Sequence, residues 1–343
     1  MNFKWRSPSN IALVKYWGKH GNQLPNNSSI SFTLSQAYSE TSVSQENKTD
    51  DGKIEIDFYF EGVKNENFQK RIEFFLTAII PHFSFLTSSR LKIESSNSFP
   101  HSTGIASSAS AMSALALGLC SIEKQLTGQL QDDESFFRKA SIISRLGSGS
   151  ACRSVYPHLA MWGENKGVAL SSNEYAIPFL EADQVFKTFH DSILIVSSDE
   201  KTVSSTAGHE LMHTNIFADV RYQQANQNTI KIIDAMKNGD LATFGQIAEE
   251  EALTLHALMM TSNPSYVLLQ PNSLKLIELI RTYRNDTKLP VYFTIDAGPN
   301  IHLLYPHEFE TQIQAFIKSD LSNFCEKGKV IEDKVGHGAT LIV

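Results

Sequence analysis

Ser95-Ser-Asn-Ser-Phe-Pro-His-Ser-Thr-Gly-Ile-Ala-Ser-Ser-Ala109, continued by the run Ser110 to Leu119, is the stretch on which the reading of the fold turns. Leu91 and Ile93 lead in as the tail of a strand, Pro100 breaks it, and Gly104 turns the chain. The segment beyond is rich in Ala and Ser, with little bulk on its first turns. A loop opening straight onto a helix leaves the first-turn N–H groups unpaired and pointing outward. With the positive end of the helix dipole they make a site for an anion, most often a phosphate. No Asp or Glu lies between Ser95 and Ser121 to compete for it. Ser107 and Ser108 add hydroxyl donors, or ligands for the magnesium of a nucleotide. An N-capped, Ala-rich core helix reads equally well from these residues, since serine is a common cap, so the stretch by itself leaves both readings open.

The whole chain narrows the field. Its 343 residues predict two domains rather than one small core. A hydrophobic fraction of 41% and a charged fraction of 20% describe an ordinary soluble globular protein. The net charge of -7 argues against nucleic acid or an anionic membrane as the main partner, while leaving room for basic residues gathered in a cleft. No basic-then-apolar leader and no membrane-length apolar run is present. Cys120, Cys152 and Cys325 are odd in number, far apart and without metal-type spacing, so they read as reduced thiols of a cytoplasmic protein.

Strand and helix signals alternate along both halves. Residues 7–19 alternate as a strand ending in Lys15-Tyr-Trp-Gly-Lys19, two cations around an aromatic pair, suited to a polyanionic ligand. Ile54 to Phe60 alternates as a half-buried strand, and Phe68, Ile72, Phe75, Leu76 and Ile79 fall at helical spacing. Phe136 to Leu146 reads as a helix, followed by Ser148-Gly-Ser-Ala-Cys-Arg153, a second anion-friendly turn of small residues. A buried strand at Ser192–Ser197 is expected to open the second domain near residue 185, giving domains 1–185 and 186–343. Helices follow at about 215–237, 240–260 and 272–284, the middle one placing Glu249 and Glu250 toward water, and the run Glu249-Glu-Glu251 reads as a solvated face. Pro290 to Ile295 is a strand ending at Asp296-Ala-Gly-Pro-Asn300, and Ile301 to Tyr305 returns as its hairpin partner. An aspartate on that stiff turn is placed to face a cleft, although Asp also serves turn chemistry alone. A helix near 307–318 and strands near 329–333 and 339–343 complete the pattern, which predicts an α+β fold with helices packed on largely antiparallel sheets.

One motif points elsewhere. His209-Glu-Leu-Met-His213 matches the zinc-hydrolase pattern of two histidines one helical turn apart with a candidate base. It follows Ser-Ser-Thr-Ala-Gly, lacks an apolar helical context, and has only Glu249 to Glu251 to offer as a third ligand.

Five blocks together resemble the diphosphomevalonate decarboxylase (mevalonate diphosphate decarboxylase) family, within the galactokinase, homoserine kinase, mevalonate kinase and phosphomevalonate kinase superfamily. They are Asn10 to Lys19, Asn27-Ser-Ser-Ile-Ser, Asn97 to Ala109, Gly147 to Ser154, and Asp296 to Asn300. The loop ending Ser-Ser-Ala is shared across the superfamily, whereas Lys15-Tyr-Trp-Gly-Lys19 with Gly147-Ser-Gly-Ser-Ala-Cys-Arg153 and Asp296-Ala-Gly-Pro-Asn300 is specific to the decarboxylase branch. The resemblance implies a ribosomal-protein-like α/β domain followed by a ferredoxin-like α+β domain, ATP and Mg2+ as cofactors, and a cytoplasmic homodimer. It implies ATP-dependent decarboxylation of mevalonate 5-diphosphate to isopentenyl diphosphate.

By the same resemblance Asp296 faces the substrate's tertiary hydroxyl, Arg153 holds its carboxylate and phosphate end, Ser108 orients hydroxyl and phosphoryl group, and Lys15 neutralises charge nearby. Asn10, Tyr16, Trp17, Gly18 and Lys19, with the turn Ser148, Gly149, Ser150, Ala151, Cys152, grip the phosphorylated substrate. Asn97, Pro100, Gly104, Ala106, Ser107 and Ser108 carry the nucleotide, with magnesium reached through Ser107 or Ser108 and no dedicated metal site. Two departures bear on the substrate: the family places an arginine near position 67 and a threonine near 212, where this chain has Asn67 and Met212. Their loss would favour a 5-monophosphate substrate. A mevalonate 3-kinase without decarboxylation, a silent nucleotide-binding paralogue and the zinc hydrolase are the remaining alternatives.

Overall fold

The computed structural model describes residues 1–48, 52–99, 107–199 and 203–343. Its first half is built on an eight-stranded sheet. The strands are β1 (Asn2–Ala12), β4 (Ser29–Asn47), β5 (Glu55–Phe60), β6 (Val63–Lys64), β7 (Ser89–Asn97), β8 (Leu159–Trp162), β9 (Ala176–Pro178) and, from the far end of the chain, β14 (Thr340–Leu341). Their order is β14-β1-β4-β7-β5-β6, with β8 joining β4 and β9 joining β8; β5 and β7 form the parallel pair. A two-residue ribbon, β2 (Lys19–His20) with β3 (Leu24–Pro25), follows β1. Helices α1 (Glu66–Ala78), α2 (Ser107–Thr127) and α3 (Asp133–Gly147) belong to this half, and the short α4 (Gln184–Lys187) leads out of it.

The Ala-Ser composition of α2 has a packing purpose. Small residues let the helix lie close on β1 and β4, and a Cβ on Gly118 would come within 2.8 Å of the Val43 side chain. Its buried serines satisfy sheet hydroxyls at that distance: Ser113 with Ser7 at 2.7 Å and Ser110 with Ser39 at 2.7 Å. The N–H of Trp5 donates to Ser121 at 2.9 Å. Helix ends follow local chemistry, with Asn65 capping α1 and Asp132 capping α3 through their side-chain oxygens.

The second half holds a four-stranded antiparallel sheet of β10 (His190–Leu194), β11 (Tyr292–Thr294), β12 (Ile301–Tyr305) and β13 (Val330–Lys334). Its spatial order, β13-β10-β12-β11, is the 4-1-3-2 arrangement of a ferredoxin-like unit. Helices α5 (Ser205–Leu211), α6 (Ala218–Lys237), α7 (Leu241–Met260) and α8 (Pro271–Thr287) separate β10 from β11, and α9 (Glu310–Phe316) precedes β13. Apolar side chains of both halves meet in one core containing Ile11, Phe32, Phe186, Phe189, Phe244 and Leu304.

Two polar seams lock the halves together. Between Pro8 and Asn10 the register of β1 on β4 shifts, and residues 34–37 swing out of the ladder. The freed N–H groups of Ser35, Gln36 and Ala37 donate to the Asp333 carboxylate of β13 at 2.7–2.8 Å. The second seam corrects a sequence expectation. β1 stops at Ala12 rather than running to Lys19, because the N–H of Lys15 donates to the Glu251 carboxylate at 2.9 Å instead of to a neighbouring strand. Glu251 is fully buried on α7, ion-paired with Arg221 of α6, and accepts a hydrogen bond from Asn228 at 2.8 Å.

The predicted solvated face at 249–251 therefore fails in two of its three residues. Glu249 is also buried, held by Arg284 at 2.5 Å and Arg281 at 3.3 Å; Glu250 alone is exposed. The arginines that cover these carboxylates lie some 30 residues away, beyond the reach of helical periodicity.

Breaking a buried pair leaves an uncompensated charge, so Arg221→Ala should cost about 3–5 kcal/mol in urea unfolding. The double variant Arg221→Leu with Glu251→Leu should recover most of that loss. A double variant as unstable as the single would show that the pair itself supplies the stability.

Candidate active site

A cleft of about 670 Å³ opens between the small-residue turns of the first half and the Asp296 turn of the second. Its wall includes thirteen of the residues singled out from sequence: Asn10, Lys15, Tyr16, Trp17, Lys19, Asn97, Ser107, Ser108, Ser148, Gly149, Ser150, Arg153 and Asp296. Ala151 and Cys152 are buried behind the turn, and Gly18 takes a positive φ of 102° with Tyr222 packed against it. These three support the wall without lining it. Pro100, Gly104 and Ala106 lie outside the described residues.

At the centre the ammonium of Lys15 meets Asp296 at 2.8 Å. The lysine side chain is nearly fully buried while the carboxylate keeps 27% of its surface toward the cleft. Burial pushes the Lys15 ammonium below its ordinary pKa, and Asp296 pulls in the opposite direction. The backbone carbonyl of Lys15 accepts hydrogen bonds from Asn27 at 3.0 Å and Arg221 at 3.3 Å. The Asp296 turn is tight, its carbonyl accepting from Gly298 N–H at 2.7 Å, and His256 contacts the same oxygen at 3.1 Å.

Arg153 stands beside this pair, 2% exposed, at the end of the short 3₁₀ turn Gly149–Arg153. Its guanidinium donates to Asn10 Oδ1 at 3.1 and 3.2 Å and to Ser29 Oγ at 2.6 Å. All of these acceptors are neutral, and burial lowers its pKa while Asp296 opposes that push. A buried cation bonded to neutral acceptors is poised for an anionic ligand.

Lys15, Tyr16 and Trp17 project from the segment that leaves β1. Tyr16 and Trp17 line the cleft, and the Tyr16 hydroxyl and Trp17 indole N–H are buried with no hydrogen-bond partner among the described residues. Tyr16 approaches so closely that a Cβ on Gly149 would lie 2.8 Å from its hydroxyl, which explains the glycine there. Ser108 and Ser148, from the two small-residue turns, face each other at 3.3 Å. The hydroxyls of Ser107 and Ser108 line the cleft at the start of α2, whose first turn carries no acidic residue. Hard oxygen donors of this kind fit magnesium carried in on a nucleotide.

Among the described residues His209-Glu-Leu-Met-His213 does not assemble a metal centre. His209 is buried, its ring held 4.4 Å from Tyr16 and 4.7 Å from Trp17, and its Nδ1 accepts the N–H of Gly18 at 2.9 Å. His213 is half exposed and contacts Glu210, while Glu249 and Glu251 are engaged by arginines. His209 instead shapes the cleft, as a neutral spacer behind the aromatic pair.

Several wall residues escaped the sequence reading. Phe58, Phe60, Phe68, Ile72 and Phe75 form an apolar side, and Arg71 of α1 faces the cleft with them. Asn67 is exposed and Met212 is buried against Trp17 and Leu255, so neither replaces the arginine and threonine the resemblance expects. Arg71, one helical turn beyond Asn67, and the hydroxyls of Ser204, Ser205 and Thr206 line the cleft instead. An arginine three residues after Phe68 and four before Phe75, on their face of the helix, was the available signal.

Burial holds the His209 imidazole down at about 3, with the Lys19 charge acting in the same direction. The unfolded chain binds this proton below about pH 6.5 and the folded chain does not. Stability from this site is thus complete above pH 6.5 and falls by about 1.4 kcal/mol per unit as pH drops toward 3. Urea unfolding from pH 6.5 to 4.5 should show that slope, and His209→Gln should flatten it relative to the parent.

Comparison with known proteins agrees with this geometry. Residues 7–174 match the diphosphomevalonate decarboxylase-like N-terminal domain, and residues 192–338 match the mevalonate 5-diphosphate decarboxylase C-terminal domain. The diphosphomevalonate decarboxylase of Eremothecium gossypii is 31% identical over 328 residues, spanning 91% of this chain and 80% of that protein. Mevalonate diphosphate decarboxylase from Staphylococcus aureus has the same fold, with a TM-score of 0.85, 28% identity, and coverage of 100% of this chain and 98% of that one. A solved complex of MDDEF with MVAPP, AMPPCP and magnesium gives a TM-score of 0.82 at 29% identity, over 100% and 99% of the two chains. With both halves matched in order and the Lys15–Asp296 pair closing the cleft between them, the chain belongs to the diphosphomevalonate decarboxylase family.

Proposed function

We propose that this chain catalyses the ATP-dependent decarboxylation of mevalonate 5-diphosphate to isopentenyl diphosphate, with release of ADP, phosphate and carbon dioxide. The observation that carries the reading is the buried Lys15 ammonium on the Asp296 carboxylate, with Arg153 beside them in one cleft. A tertiary hydroxyl is a poor leaving group, and its phosphorylation requires an acceptor for the hydroxyl proton. Asp296 has a partly exposed carboxylate at that position, and Lys15 orients it through the 2.8 Å contact. Arg153 receives the substrate's carboxylate and phosphate end by charge-assisted hydrogen bonds.

Two polyanions must be brought together, so cations and N–H donors have to offset their repulsion. Lys19, the Ser148–Ser150 turn, Tyr16 and Trp17 are the wall residues that would face the substrate's phosphates, and Asn97, Ser107 and Ser108 those that would face the nucleotide. Magnesium, when bound with ATP, neutralises phosphate charge, and Ser107 and Ser108 are the side chains placed to reach it. Arg71 and Thr206 favour the diphosphate over the monophosphate, because they supply donors for a second phosphate that Asn67 and Met212 do not.

The division of labour follows the halves: residues 1–185 bind nucleotide and substrate, and residues 186–343 supply Asp296. The C-terminal β14 crosses that boundary to pair with β1. Carried by the resemblance alone, the reading also expects a homodimer in the cytoplasm; all three cysteines are buried thiols, as suits a reducing compartment.

Asp296→Asn should lower kcat by about 10²–10⁴-fold with little change in substrate affinity. Arg153→Ala should cost at least as much in kcat/KM. Steady-state turnover with the 5-diphosphate and the 5-monophosphate side by side, scoring ADP and carbon dioxide together, tests the rest. Equal yields of the two products and a preference for the diphosphate are expected. ADP without carbon dioxide would identify a 3-kinase, and near-normal turnover by Asp296→Asn would remove the catalytic assignment.

A further inference from the structure

We propose that His190, His307 and Glu310 form a binding site for a divalent transition-metal ion of the zinc class, separate from the catalytic cleft. Three ligand-type atoms converge there: His190 Nε2 and His307 Nδ1 at 2.9 Å, His307 Nδ1 and Glu310 Oε2 at 3.3 Å, His190 Nε2 and Glu310 Oε2 at 3.7 Å. These separations bracket the edge of about 3.3 Å of a tetrahedron whose metal–ligand bonds are about 2.0–2.1 Å. Among the described residues this is the group of three such side chains whose ligand atoms all lie within 4.8 Å of one another.

The ring of His190 cannot swing away. It packs against Tyr305, with centroids 5.1 Å apart and planes 10° from parallel, and meets His307 edge to edge, the two nitrogens facing each other along the 5.2 Å line of centroids. Tyr305 is itself fixed by hydrogen bonds of its hydroxyl with Ser192 at 2.8 Å and Gln314 at 2.9 Å. Pre-set orientation of a histidine by its surroundings is what a metal ligand needs. The 2.9 Å contact is an N–H···N hydrogen bond, so one ring nitrogen already carries a lone pair. An ion takes the place of the shared proton once the exposed His307 turns its nitrogen off the line of centroids.

Chemistry selects the ion. Two imidazoles and one carboxylate suit zinc, nickel, copper or cobalt, whereas magnesium and calcium prefer oxygen throughout. His307 and Glu310 are 64% and 43% exposed, leaving the outer coordination positions to water. The site sits at the start of β10, where His190 pairs with Tyr305; the other end of the strand, Leu194, pairs with Ile301 next to the Asp296 turn. Four residues of strand, about 13 Å, separate the two ends, and none of the three ligands lines the cleft.

ZnCl2 titrated calorimetrically into the full chain, without nucleotide, should reveal one ion per chain. His307→Ala and Glu310→Gln should each weaken it by at least about tenfold, and His213→Ala should leave it unchanged. Zinc should raise the Tm of the parent protein and of His213→Ala but not of His307→Ala. His307 is exposed, so its removal tests the site without threatening the fold. No zinc binding by the parent, undiminished binding by His307→Ala, or loss of binding in His213→Ala would each overturn the assignment.

Discussion

A single buried carboxylate organises the meeting of the two halves. Glu251, on a helix of the second half, is ion-paired with Arg221 and also accepts the backbone N–H of Lys15 from the first. Arg221 returns the contact, donating to the Lys15 carbonyl. Both backbone polar groups of Lys15 are thereby held by side chains distant in sequence, and its ammonium is left to point at Asp296. Set against a well-packed apolar replacement, a buried ion pair contributes little net stability. Its contribution here is positional: beyond the end of β1 at Ala12 it holds the chain out of the sheet at Lys15, whose ammonium lies in the cleft.

The same seat explains the aromatic cluster around it. Once the chain leaves the ladder after Ala12, Tyr16 and Trp17 turn into the seam between the halves, where His209 packs against both rings. Glycines make room on either side: a Cβ on Gly208 would sit 2.3 Å from Trp17, and one on Gly149 would crowd Tyr16. Packing fixes the rings but leaves their polar tips unsatisfied, and two buried donors without protein partners are costly unless a ligand takes them up. The cluster is thus held rigidly by packing while two of its buried donors stay unsatisfied among the described residues.

Local patterns in the sequence carried a large part of this architecture. The hairpin around Asp296, the helices 218–237, 241–260 and 271–287, and the small-residue turn before Arg153 all follow from periodicity and turn chemistry within a few residues. What stayed hidden depended on partners far along the chain. Glu249 and Glu251 look solvated until Arg281, Arg284 and Arg221 are placed beside them. The segment 13–18 alternates like a strand, and only the competing carboxylate of Glu251 explains why it is not one. His209 carries a motif that means metal in another setting, and here its Nδ1 is taken by a glycine N–H. Arg71 went unnoticed because the α1 helix was read for its apolar face alone.

Charge distribution draws these points together. The chain as a whole carries a net charge of -7, yet the described wall of the cleft presents Lys15, Lys19, Arg71 and Arg153 against the lone carboxylate of Asp296. His209, kept neutral by burial, adds nothing to either side. Repulsion between two phosphorylated ligands of equal sign grows steeply as they approach within a few ångströms, and a low-dielectric wall strengthens both that repulsion and its compensation. A cleft with an excess of cations, two of them buried where salt screens poorly, can hold such ligands at reacting distance. An acidic surface outside it confines that attraction to the opening. The composition that argued against nucleic acid at the level of the whole chain is therefore compatible with a cleft suited to polyanions, because four cations and one carboxylate share its described wall.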